Sequence, residues 1–109
     1  MYKTLKFQPH LAEQVRQGTK VCTWRLFDDK NLQVGDLIEL YENGSDVPFA
    51  KATITRQVEK PLGKLEEEDW EGHERFANDK EMYATYRAYY GPRVGPKTIV
   101  KILWFDLLS

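Results

Sequence analysis

Apolar and polar residues alternate with a period of two in four short stretches, which is the spacing expected of β-strands. The stretches that share this pattern are residues 2–7, 21–27, 37–41 and 49–58. In the second stretch, Cys22 and Trp24 fall on the apolar side, whereas Thr23 and Arg25 fall on the other. Asn43-Gly44 separates the third stretch from the fourth and predicts a tight turn between antiparallel strands.

Two further segments have other patterns, which predict a helix and a fifth strand. Leu11 and Val15 are four residues apart, between Pro9 and Gly18, which predicts a short helix after the first strand. Residues 98–108 are apolar at both odd and even positions. That pattern is typical of a strand with both faces buried, so we place this strand inside the sheet.

A two-helix insert is predicted before the last strand. Six of the nine residues 66–74 are acidic, which indicates the solvent-exposed face of a helix. Asn78 and Glu81 form a capping box for a second helix, which ends at Gly91-Pro92. The resulting order predicts a single α+β domain over residues 1–109: a small open β-barrel of about five to six strands.

Composition narrows the functional classes. The 109 residues are 41% apolar and 13% aromatic, enough for a folded core, and the formal charge is −1. This balance excludes a strongly basic protein that coats nucleic acid by charge alone. His10 and His73 are isolated, so no metal site is expected. With no apolar run of membrane-spanning length, we expect a cytoplasmic protein, a monomer or weak dimer, without membrane partners.

The segment Gly18–Arg25 brings a cation, a hydroxyl and a second cation close together. Thr23 and Arg25 project from the same side of a strand, whereas Lys20 is three residues before Thr23. A regular strand would place those two on opposite faces with Cα atoms ~10 Å apart. They converge only if Lys20 lies in a turn or a bulge rotates it. Otherwise the three are a turn cation, a β-forming residue and a surface cation.

The pattern Gly-x-Lys-x-x-Thr-x-Arg over Gly18–Arg25 resembles the ASCH domain, as does Val34-Gly35-Asp36 after a polar loop. Glu71-Gly72 also resembles a signature of that family. The resemblance extends over nearly the whole chain. It implies a PUA-like β-barrel related to RNA-binding modules.

Within that family, small bacterial enzymes hydrolyse N(4)-acetylcytidine to cytidine and acetate, using Thr, Lys and Glu without a metal or other cofactor. By this resemblance, Thr23 matches the nucleophile and Lys20 matches the lysine, which acts as the base. Glu71 fits the Glu-Gly signature best, and Glu74 is the alternative glutamate. Arg25 matches the motif arginine, expected in the same cleft.

A cytosine substrate also needs a stacking surface, which aromatic side chains supply. The aromatic candidates are Trp24, Trp70, Phe27 and Tyr86. His73, two residues after Glu71, is a candidate for the rim of the site. Packing is the competing interpretation, because Trp24 shares its side of the strand with Cys22.

An RNA-binding module without catalysis is the second functional hypothesis. Its groove would contain Lys20, Arg25, Arg56 and Lys101. Ribonuclease activity, proposed for some ASCH proteins, is not selected by any residue of this chain. The near-neutral charge weighs against long RNA. The acidic run favours an uncharged nucleoside for a cleft beside Glu71, since like charges repel.

Overall fold

The structure is a computed structural model that describes residues 2–108. Its helices and strands are β1 (Lys3–Phe7), α1 (Pro9–Gln17), β2 (Cys22–Leu26), β3 (Leu37–Glu42), β4 (Ala50–Pro61), α2 (Asp79–Tyr90) and β5 (Ile99–Leu107). Each strand predicted from alternation is present, as is the short helix that follows β1. No helix in the described part of the chain is both long and apolar enough to cross a membrane.

All five strands form one sheet in the order β1-β3-β4-β5-β2, in which only β1 and β3 run parallel. The predicted interior position of β5 is confirmed. The two edge strands, β1 and β2, lie close to each other. Arg25 of β2 donates a hydrogen bond to the backbone carbonyl of Lys6 in β1 at 3.1 Å. The sheet is therefore a curled half-barrel, as expected for a small α+β PUA-like domain.

Each face of the sheet carries its own apolar core. The first core joins Leu11 and Val15 of α1 to one face of β5, which contributes Phe105. The second core joins Met82 and Tyr86 of α2 to the opposite face of β5. This arrangement explains why β5 is apolar at both odd and even positions.

Strand β4 departs from its expected alternation. Ile54 pairs with Phe105, but Arg56 pairs with the next residue, Trp104, so Thr55 forms a β-bulge. Beyond the bulge the inward and outward positions exchange. Constant alternation over residues 49–58 predicts that Ile54 and Val58 share a face. This prediction is wrong, because Ile54 belongs to the first core and Val58 packs against the second.

The acidic segment does not form the first predicted helix of the insert. It contains only a 3₁₀ helix over Glu67–Trp70, followed by a turn. Asp69 is buried, and its carboxylate accepts a hydrogen bond from the backbone N–H of Glu66 at 2.7 Å. It also pairs with Lys60 of β4 at 2.8 Å. These contacts hold the segment against the sheet, and the insert contains one α-helix, α2.

Candidate active site

A cleft of about 420 Å³ lies where β1, β2, α2 and the turn at the end of the acidic segment meet. Its volume falls in the range of small-molecule sites. Residues that line it include Phe7, Gln8, Lys20, Thr23, Trp24, Arg25, His73, Glu74, Tyr86, Tyr89 and Tyr90. The structure therefore brings most of the sequence-predicted site residues to one cleft.

Lys20 reaches the cleft because it precedes the regular part of β2. Gly18 takes a left-handed conformation (φ 81°) that ends α1, and the backbone N–H groups of Thr19 and Lys20 both donate to the carbonyl of Gln14. The alternation of β2 thus does not apply to Lys20. Its side chain is 2% exposed, and its Nζ donates to the carbonyl of Cys22 at 2.7 Å.

Glu74, not Glu71, is the carboxylate beside the lysine. Lys20 Nζ lies 2.5 Å from Glu74 Oε1. The Glu71 side chain is exposed and lies outside the cleft, while its backbone carbonyl accepts a hydrogen bond from Trp104 Nε1 at 3.0 Å. Glu71, which fits the Glu-Gly signature best, is therefore outside the cleft, and Glu74, the alternative glutamate, lies in it beside Lys20.

Gly72 fixes the turn that presents Glu74. Its φ is 72°, and a Cβ placed there would lie 2.4 Å from Cγ2 of Val21. Its carbonyl accepts hydrogen bonds from the backbone N–H groups of Val21 and Cys22, at 2.9 and 3.1 Å. A glycine is required here both for its backbone angle and because a Cβ would collide with the side chain of Val21.

We expect Gly72→Ala to destabilise the fold by about 2–4 kcal/mol, since it adds a contact with Val21 to the cost of a left-handed backbone. Gly44→Ala is a matched control: Gly44 has φ 88°, but no atom lies within 4 Å of an added Cβ. That control is expected to cost about 1 kcal/mol. Urea unfolding measures both variants, and equal losses would contradict the role of the Val21 contact.

Burial and mutual attraction shift the pKa of each group of the Lys20–Glu74 pair in opposite directions. Burial lowers the pKa of Lys20, and the charge and hydrogen bond of Glu74 oppose that shift only in part. Burial alone would raise the pKa of Glu74, but His73, Lys20 and the hydrogen bond from Lys20 lower it. The two groups form an ion pair with little access to water, where a proton can move between them over a short hydrogen bond.

His73 is held neutral behind this pair. Its Nδ1 donates to the backbone carbonyl of Glu74 at 2.7 Å, which leaves Nε2 to accept from the hydroxyl of Tyr86 at 3.4 Å. Burial, followed by the charge of Lys20, lowers the pKa of His73 to about 3. The imidazole also stacks on Trp24, with ring centroids 4.0 Å apart. His73 therefore supports the wall of the cleft.

This burial predicts a pH dependence of stability. Between the folded pKa of His73, about 3, and its unfolded pKa, near 6.5, the unfolded chain binds a proton that the folded protein does not. Lowering the pH therefore favours unfolding, by about 2 kcal/mol between pH 7 and pH 5. Urea unfolding at both pH values is the measurement. His73→Gln should lose much less stability over the same interval, and an equal loss would contradict the assignment.

Thr23 is 4% exposed and lines the cleft. Both hydrogen bonds of the Lys20 ammonium go to other groups, the carbonyl of Cys22 and the carboxylate of Glu74. The hydroxyl of Thr23 has no hydrogen-bond partner within residues 2–108, although its backbone pairs with Leu103 of β5. Its hydroxyl is therefore available to a ligand. The neighbouring Cys22 is not a competing nucleophile, because burial raises the pKa of its thiol to about 12.

Some of the aromatic candidates line the cleft and others lie outside it. Trp24 is 3% exposed and packs edge-on to Trp70 with ring centroids 4.5 Å apart, so Trp70 lies behind Trp24 and outside the cleft. Phe27 is also outside the cleft and lines a neighbouring cavity. Sequence reasoning missed Tyr89, which lines the cleft and is 46% exposed. In the sequence, Tyr89 is marked only by its position directly before Tyr90, at the end of α2.

The four cations proposed for an RNA groove divide between neighbouring sites. Lys20 and Arg25 line the cleft, and Arg25 also lines the adjoining cavity together with Lys101, its cross-strand partner. The Lys101 ammonium pairs with Asp28 at 2.7 Å, and the Arg56 guanidinium lies over the ring of Trp104 at 4.3 Å. Across the described residues 2–108, no three His, Cys, Asp or Glu side chains are grouped so as to hold a metal ion.

Comparisons with known proteins agree with this architecture. No family model matches the sequence, and no curated protein matches it. Protein EF3133 from Enterococcus faecalis V583 superposes with a TM-score of 0.74 at 18% identity, covering 91% of this chain and 70% of that chain. Protein PH0355 superposes with a TM-score of 0.74 at 20% identity, covering 99% and 100%.

An ASCH domain from Lactobacillus crispatus JV V101 superposes with a TM-score of 0.63 at 18% identity, covering 88% of this chain and 69% of that domain. At such identities the likeness concerns the fold. It agrees with the curled five-stranded sheet and its two helices described above. The chain therefore has the fold of the ASCH domains.

Proposed function

We propose that this protein is an amidohydrolase that removes the acyl group from the exocyclic amine of N(4)-acetylcytidine-type nucleosides. The observation that carries the proposal is the buried Lys20–Glu74 pair, which opens into the same cleft as the unpartnered hydroxyl of Thr23. The motif resemblance of Gly18–Arg25 and the ASCH fold support the same assignment.

The first step is activation of Thr23. When a ligand displaces water from the cleft, a proton passes from Lys20 to Glu74, giving a neutral amine and a carboxylic acid. The amine then takes the proton of the Thr23 hydroxyl, which attacks the acyl carbonyl carbon. Because Lys20 is 2% exposed, its neutral form is favoured by burial.

The second step is expulsion of the nucleoside amine. The C–N bond breaks as the Glu74 carboxylic acid gives its proton to the leaving nitrogen, which leaves an acyl ester on Thr23. Water, deprotonated by the Glu74 carboxylate, adds to the ester carbonyl. The C–O bond to Thr23 then breaks, with the proton of the Lys20 ammonium returning to the hydroxyl. The released acid ionises in solution, and one proton transfer from Glu74 to Lys20 restores the ion pair.

The size and the aromatic lining of the cleft suit a pyrimidine nucleoside. Its volume of about 420 Å³ admits a small ligand, and Tyr89 offers an exposed aromatic face beside Tyr90. Stacking on such a face contributes ~1–3 kcal/mol per base. The ring of Trp24, which also lines the cleft, is already stacked against the imidazole of His73. We therefore assign base stacking to Tyr89 rather than to Trp24.

Turnover of N(4)-acetylcytidine by the purified protein tests the proposal. Deacetylation changes the ultraviolet absorbance of the base, so the rate is read directly. We expect multiple turnovers without added metal or cofactor. Absence of turnover at high enzyme concentration would refute the proposal. In that case, RNA retention that weakens steeply with salt would favour the binding module instead.

A further inference from the structure

The cleft carries an excess of positive charge, although the formal charge of the whole chain is −1. The ionised side chains that line it are Lys6, Lys20, Arg25 and Glu74. Of the acidic run over residues 66–74, which was expected to repel anions, only Glu74 lines the cleft: Glu71 is exposed outside it, and Asp69 pairs with Lys60. Glu74 is matched by Lys20, so the remaining cations of the cleft have no counter-charge there.

Arg25 is the inner of these unmatched cations. Its Nη2 donates to the backbone carbonyl of Lys6 at 3.1 Å, whereas its Nε is buried with no hydrogen-bond partner. No carboxylate in residues 2–108 lies within ion-pair distance of its guanidinium, which sits 5.0 Å over the ring of Phe7. Burial lowers the pKa of Arg25, but a guanidinium starts from so high a pKa that it remains charged at neutral pH.

Arg25 also lines the same cleft as the proposed nucleophile, Thr23. Thr23 and Arg25 are two residues apart in β2, so they leave the strand on the same side with Cα atoms ~7 Å apart. A planar fork of N–H donors matches the two oxygens of a carboxylate. A neutral acyl amide leaves that charge unmatched, whereas the acid released by hydrolysis neutralises it.

We propose that Arg25 is a carboxylate-binding residue: it holds the acid released from the acyl group. The identity of that carboxylate rests on the proposed function, whereas the existence of the anion site rests on the cleft alone. By the same contact, Arg25 stabilises the negative oxygen that forms when Thr23 adds to the acyl carbonyl.

Titration with sodium acetate tests this site without any turnover. Ionic strength is held constant with sodium chloride, and the Nε1–H resonance of Trp24, whose ring lines the cleft, is followed by NMR. We expect saturable binding by the wild-type protein and binding at least about tenfold weaker in Arg25→Gln. Arg25→Lys, which keeps the charge but loses the fork, should be intermediate.

Lys6→Met is the matched control, because it removes an exposed cation of the same cleft and leaves intact the backbone carbonyl that Arg25 contacts. It should bind acetate within about twofold of the wild type. Absence of saturable acetate binding, or equal weakening in Lys6→Met and Arg25→Gln, would overturn the proposal. Acetate binding without turnover of N(4)-acetylcytidine would uphold the anion site and reject the hydrolase. Turnover without acetate binding would uphold the hydrolase and reject the anion site.

Discussion

Replacing the Thr23 hydroxyl with a methyl group, as Thr23→Val, is expected to lower kcat/KM for N(4)-acetylcytidine by at least about 10³-fold. The proposed ester cannot form without that oxygen. Thr23 is 4% exposed and its hydroxyl has no partner within the described residues 2–108, so the replacement leaves no protein group unsatisfied. The free energy of unfolding should change little. Steady-state kinetics by ultraviolet absorbance and urea unfolding measure the two quantities.

Thr23→Ser is the control for this experiment, because it keeps the hydroxyl and removes only a methyl group. It should retain activity within about 100-fold of the wild type. Mass spectrometry of the wild-type protein mixed briefly with substrate should also detect an acyl adduct on the peptide that contains Thr23. A Thr23→Val protein that turns over at the wild-type rate would exclude Thr23 as the nucleophile.

The second large effect is expected at the carboxylate of the pair. Glu74→Gln should lower kcat by about 10²–10⁴-fold, since the amide cannot exchange a proton with Lys20 or give one to the leaving amine. It also removes the negative charge that opposes the burial-induced lowering of the Lys20 pKa. The lysine should therefore react faster with an amine-directed acylating reagent at neutral pH.

Glu71→Gln is a matched control, because it makes the same chemical change three residues away on an exposed side chain. Its kcat should stay within about twofold of the wild type. Peptide mapping after acylation locates the modified lysine, and kinetics measure both variants. If Glu71→Gln lost activity and Glu74→Gln did not, the assignment drawn from the 2.5 Å contact between Lys20 and Glu74 would be wrong.

Most of the sheet could be predicted because local periodicity and burial agree in it. The apolar residues of β5 belong to one core on one face and to the other core on the opposite face. Its apolar residues at both odd and even positions therefore indicate a strand inside the sheet. Strand β4 was less predictable. Its bulge at Thr55 exchanges the two faces. In the sequence the bulge is marked only weakly, by Arg56, a cation at a position that constant alternation places on the apolar side.

The sequence could place Lys20 and Thr23 together at a candidate cleft because they lie in one short segment. It named Glu71 and Glu74 but could not choose Glu74, because the position of that side chain depends on contacts between distant parts of the chain. Asp69 is fixed by Lys60 in β4, and Gly72 is fixed against Val21, and together these contacts turn Glu74 toward Lys20. Charge density alone favoured a solvent-exposed helix in this segment, and tertiary contacts overrode that preference.

The incomplete closure of the barrel has a consequence for behaviour in concentrated solution. An open sheet has two edges that can recruit strands from other molecules. Here the β2 side is covered at Val21 and Cys22 by the carbonyl of Gly72, and the edge of β1 is covered by side chains that bond its carbonyls, Lys30 at Thr4 and Arg25 at Lys6. The fold thus keeps an opening wide enough for a ligand while offering little free backbone on which aggregation through added strands could begin.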